Sequence, residues 1–133
     1  MATVRFDFTI AADPARVWDA VRDFGAVHTR LAVGFVTDAK LEDDVRTVTF
    51  FNGLAARETL VTRDDAARRM VYAIIGGERV SHYNAVVEVT AQGSGSRFVW
   101  TLDFLPAAME EPIRAMAAKS VEAMKRTLET NTG

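Results

Sequence analysis

Residues 34–104 run as short segments of alternating apolar and polar side chains, broken by clusters that favour tight turns, and contain no helical period long enough to compete. Over half of the sequence is thereby committed to antiparallel strands. The spacing predicts strands over residues 35–41, 45–51, 56–62, 69–75, 81–90 and 97–104. The punctuation between them is Glu42-Asp43-Asp44, Asn52-Gly53, Arg63-Asp64-Asp65, Gly76-Gly77 and Gln92-Gly93-Ser94-Gly95. Upstream, Val4, Phe6, Phe8 and Ile10 alternate with Arg5, Asp7 and Thr9, which adds a strand and brings the total to about seven.

Helices flank this block. Asp13-Pro14 is an N-cap followed by a first-turn proline, and Val17, Trp18, Val21 and Phe24 recur at helical spacing until Gly25, predicting a helix over residues 13–24. A second short helix is expected over residues 25–32, before Gly34. Pro106 ends the last strand. Met109, Ile113, Met116, Ala117, Ser120, Met124 and Leu128 then share one face of a long final helix, which begins between Met109 and Pro112 because proline is tolerated in a first turn. Thr130 to Gly133 read as a loose end.

At 133 residues the chain is expected to be a single domain, 1–133, able to bury roughly two-thirds of its unfolded surface. Sixteen Lys and Arg against 18 Asp and Glu give a net charge of −2, which provides no basic field for a phosphate backbone and argues against nucleic acid as a partner. The absence of cysteine excludes disulfides, thiolate metal sites and cysteine nucleophiles. With charges at Arg5 and Asp7 the start does not read as an export signal, and no apolar run approaches the ~18 residues of a membrane span, so a cytoplasmic location is expected. The arginine-heavy basic complement is a compositional association with a bacterial source.

Strand parity selects an interior set. Phe98, Trp100, Leu102 and Phe104 face one way, as do Tyr83, Ala85, Val87 and Val89, Tyr72 and Ile74, and Val48 and Phe50. The final helix opposes them with Met116, Ala117, Ser120 and Met124, flexible or small side chains that read either as plain core packing or as the loose wall of a cavity. Glu58 shares the inward parity of Leu60, where removal from water disfavours the charged form. It stands as a ligand-binding group or a general acid/base, unless Arg57, Arg79 or Tyr83 pairs with it. Tyr72 and Tyr83 each offer a ring and a hydroxyl suited to a hydrophobic ligand with a polar atom. His28 is expected near the entrance. With His82 it completes the histidine complement, too few ligands for a metal. The sequence shows no serine–histidine–acid order, phosphate-binding glycine loop or dinucleotide fingerprint, so no cofactor is expected.

The order strand, two short helices, six strands, long helix resembles the START-like helix-grip (SRPBCC) superfamily. The words Asp13-Pro14, Val17-Trp18-Asp19-Ala20-Val21-Arg22-Asp23-Phe24, Gly53 with Glu58, Asp64-Asp65, Tyr72, Tyr83 and Trp100 resemble its polyketide cyclase/dehydratase-like branch. Residues 58–89, with Ile75-Gly76-Gly77 and Tyr83, are also similar to plant abscisic acid receptors. The resemblance implies an α+β fold in which a curved antiparallel sheet wraps the C-terminal helix around a ligand cavity. It also places a gate loop at Gly53, Leu54 and Ala55 and a latch loop at Arg79 and Val80. The gate is shortened and lacks the receptors' proline, and Glu78-Arg79-Val80 stand where their latch carries His-Arg-Leu.

Three functions follow. The first is binding of a small hydrophobic molecule (a lipid, polyketide-like or isoprenoid compound) by Glu58, Tyr72, Ile74, Tyr83, Phe50, Phe98, Trp100, Met116, Ser120, Met124 and His28. The second is a cyclase/dehydratase in which Glu58, with His28 or Tyr83, moves protons on a β-keto substrate. The third is an interaction module whose Leu54 and Val80 loops present an apolar rim to a partner or to a second copy, giving a homodimer.

Overall fold

The computed structural model describes residues 1–130. Strand β1 (Ala2–Ile10) leads into helix α1 (Pro14–Arg22). Strands β2 (Val36–Glu42), β3 (Val45–Phe50), β4 (Ala55–Asp64), β5 (Arg69–Ile75), β6 (His82–Gln92) and β7 (Gly95–Leu105) follow, and helix α2 (Glu110–Thr130) closes the described chain. The strands form one sheet in the order β1-β7-β6-β5-β4-β3-β2, each antiparallel to its neighbour. Consecutive strands pair through hairpins, and β1 returns to lie beside β7, from Ala2 opposite Phe104 to Ile10 opposite Ser96.

The alternation read from the sequence is physical. In β7, Phe98, Trp100, Leu102 and Phe104 are buried, whereas Val99, Thr101 and Asp103 between them are only partly covered. One face of the sheet therefore carries the core. Against it α2 turns Ala117, Ser120, Ala123, Met124, Thr127 and Leu128, spaced three and four apart as a single helical stripe requires. Val17, Trp18 and Val21 of α1 join the same core. Trp18 is closed off by its indole N–H donating to Asp65 Oδ1 at 2.9 Å.

The two halves of α2 are held differently. Lys125 Nζ donates to the Thr9 carbonyl at 3.0 Å, Ala11 N–H donates to Glu129 Oε2 at 2.9 Å, and Val33 N–H donates to Thr127 Oγ1 at 3.1 Å. The first turns have no buried residue before Ala117 and contact the protein through half-buried Ile113 and Met116.

Several boundaries differ from the sequence expectation. Helix α1 stops at Arg22, and the expected second helix is a 3₁₀ turn, Phe24–Ala26, followed by a π turn, Val27–Leu31, in which Ala32 N–H reaches back to the Val27 carbonyl at 2.8 Å. Gly25 packs closely here, since a Cβ on it would meet the Leu41 side chain at 3.0 Å and that exposed side chain would have to give way. Strand β4 continues to Asp64 by absorbing a bulge between Leu60 and Thr62. The last hairpin is tighter than read, with Gln92 opposite Gly95 and Gly93 at φ +59°. Thr130 completes α2 instead of fraying, and the rest of the expected loose end lies outside the described residues.

Candidate functional site

Between the concave sheet face and α2 lies a cavity of about 940 Å³. Of the residues selected from sequence, Glu58, Tyr72, Ile74, Tyr83, Phe50, Phe98, Trp100, Met116, Ser120 and Met124 all line it. Leu54 from the β3–β4 loop, Ala55 at the start of β4, and Arg79 and Val80 from the β5–β6 loop line it as well, together with Met109 just before α2 and Pro112 in its first turn. Gly53 does not. It sets the turn at φ +86° between lining residues Asn52 and Leu54.

His28 is not brought to the cavity. It sits on the π turn, whose Val27 and Leu31 are the residues that face inward. His28 follows Val27 by one residue and so lies off the face that Val27 and Leu31, four apart, turn to the cavity. Its Nδ1 is sealed from solvent and has no hydrogen-bond partner among the described residues. Of the two partners expected for Glu58, Tyr83 therefore shares the cavity with it and His28 does not.

Glu58 is also not a bare acid. It pairs directly across the sheet with Arg46 of β3, and Arg46 Nε donates to Glu58 Oε1 at 2.7 Å, with 5% of the arginine side chain and 9% of the glutamate side chain exposed. The partner is Arg46, not Arg57, Arg79 or Tyr83. Its guanidinium is further fixed by donation from Nη1 to the Phe24 carbonyl at 3.2 Å, and by the rings of Phe24 and Tyr72, whose centroids lie 3.9 and 4.8 Å from Cζ. Arg46 lines the cavity and was missed in the sequence. The signal was there, since it shares the parity of Val48 and Phe50.

The remaining polar groups are hydroxyls. Trp100 Nε1 donates to Tyr72 Oη at 3.2 Å, leaving the phenolic hydrogen of Tyr72 available. Burial pushes the Tyr72 phenol well above its ordinary pKa, and the Glu58 charge adds to the shift. Tyr83 is raised too, first by burial and then by Tyr72 and Glu58. Both phenols stay neutral and act as donors, not as bases. Ser120 is buried on the helix side of the same space.

A curved antiparallel sheet closed by one long helix over an apolar cavity is a helix-grip architecture. The chain belongs to the polyketide cyclase/dehydrase and lipid transport family, whose profile matches residues 1–130. Among solved structures, XoxI from Bacillus cereus superposes with a TM-score of 0.84 at 21% identity, covering 99% of this chain and 96% of that one. A protein from Thermobifida fusca gives 0.80 at 28% identity, covering 100% and 94%. Ara h 8.0201 gives 0.76 at 17% identity, covering 98% and 99%. No curated protein matches the chain significantly. No helix among the described residues is long and apolar enough to cross a membrane.

Proposed function

We propose that this protein takes up one small hydrophobic molecule in the cavity between the sheet and α2. The observation that supports this reading is the void itself. Protein interiors leave few spaces larger than a water molecule, yet a 133-residue chain here keeps about 940 Å³ open behind apolar walls. Small-molecule sites occupy roughly 300–1,000 Å³, lined mainly by apolar side chains with a few placed polar groups. Arg46, Glu58, Tyr72 and Tyr83 supply those groups. Residues of the β3–β4 and β5–β6 loops and of the first turn of α2 line the same space, and a ligand would enter between them.

Native mass spectrometry of the purified protein, followed by denaturing extraction, tests the reading. A compound of defined mass retained near unit stoichiometry is the expected result. An empty protein whose melting temperature is unmoved by every apolar compound added would overturn it.

A further inference from the structure

We infer that the Arg46–Glu58 pair selects ligands with an uncharged head that carries a hydrogen-bond acceptor beside a donor, such as an amide, a hydroxyketone or an enolised diketone, and rejects carboxylates. The inference rests on the cavity being a binding site. Within the pair, Arg46 Nε and Glu58 Oε1 satisfy each other and Arg46 Nη1 is held by Phe24, which leaves Arg46 Nη2 and Glu58 Oε2 without partners among the described residues. Neither atom is sealed off, because the one polar side-chain atom both sealed and unpaired among the described residues is His28 Nδ1. Both residues line the cavity. The polar end thus shows an incoming molecule N–H donors on Arg46 Nη2 beside an acceptor, Glu58 Oε2, from a single rigid unit.

Charge decides the selection. The pair is neutral as a whole, so a carboxylate would bring a net negative charge into a poorly hydrated space and face Glu58 across a short distance. It could take a bond from Arg46 Nη2 but could give none to Glu58 Oε2. An amide or enol satisfies both atoms and adds no charge. The rings of Phe24 and Tyr72 on the guanidinium keep Arg46 from swinging away to follow an anionic head.

The test uses the neutral fluorophore N-phenyl-1-naphthylamine, displaced at pH 7.5 by decanamide, methyl decanoate or decanoate, three heads on one chain length. Decanamide is expected to displace it about tenfold more tightly than decanoate, since bonds to charged groups are among the stronger ones, with the acceptor-only ester between them. In Glu58→Gln, where the cation loses its counter-charge, decanoate should become the tightest of the three. Should that variant not fold, Arg46→Met combined with Glu58→Leu replaces the pair by apolar volume. There the advantage of amide over ester should vanish while the fluorophore still binds. Decanoate competing as well as decanamide against the unmodified protein would overturn the inference and leave the cavity reading standing. A protein that neither takes up the fluorophore nor melts higher with any of the three decanoyl compounds would overturn both.

Discussion

A guanidinium with 5% of its side chain exposed is a liability unless its counter-charge stays beside it, and for Arg46 that counter-charge is Glu58 on the neighbouring strand. Removing one partner strands the other. Arg46→Ala should lower stability by about 3–5 kcal/mol in denaturant melts, whereas Arg46→Met combined with Glu58→Leu should stay close to the unmodified protein, because apolar replacements of buried pairs are often neutral. A comparable loss in the double variant would mean that the pair carries stability beyond mutual neutralisation. The tyrosines give a pH signature. Tyr72 and Tyr83 are raised above the ordinary value of 10.0 in the folded state, so the folded protein holds those protons more tightly than the unfolded chain does. The stability they confer is fully present below pH about 10 and is lost as pH rises above it. Denaturant melts from pH 8 to 11.5 should show this fall, and Tyr72→Phe with Tyr83→Phe should flatten it. At this scale parity alone placed Glu58, Tyr72 and Tyr83 on the cavity wall. The pairing with Arg46 was out of reach because it depends on which strand residue lies opposite which, and the turn clusters bound the register without defining it.

Among the elements, the β1–β7 seam leaves no room for a side chain at Gly95. A Cβ placed on Gly95 would stand 2.6 Å from the Ile10 carbonyl oxygen, and the adjacent Ser96, fully buried, donates its Oγ to the Ala12 carbonyl at 2.6 Å. Gly95→Ala must push two backbones apart and should cost about 1–3 kcal/mol, read as a lowered melting temperature with unaltered binding in the distant cavity. Unchanged stability would show that the seam yields freely. Strand identity was almost wholly legible, since period-two alternation survives any modest error in a strand's ends. The π turn was not. Its Val27-His28-Thr29-Arg30-Leu31 has no residue pattern that separates a reach of five from a reach of four, and nothing in it says that Val27 and Leu31, not His28, face inward.

For the molecule as a whole, an open interior is a reserve of stability that a ligand can supply. At a hundredfold excess over its dissociation constant, a ligand confined to the folded state adds about 2.7 kcal/mol, which for a chain of this size corresponds to a rise in melting temperature of roughly 10 °C. Calorimetry with the co-purified compound, stripped and then restored, would show it, and a shift near zero at saturation would contradict uptake by the folded state. The volume of the space was not legible from residue types. A stripe of methionine and alanine fits a filled core as well as an open one, and the distance at which α2 rides above the sheet decides between them. That distance is held from one end, where Lys125, Thr127 and Glu129 bond to backbone groups outside the helix. The opposite end rests on Ile113 and Met116. A rod clamped at one end and resting at the other lifts like a hinged cover, so the hydrogen-bonded amides of residues 114–117 should exchange with deuterium well before those of 120–128, and an occupied interior should slow the first group most.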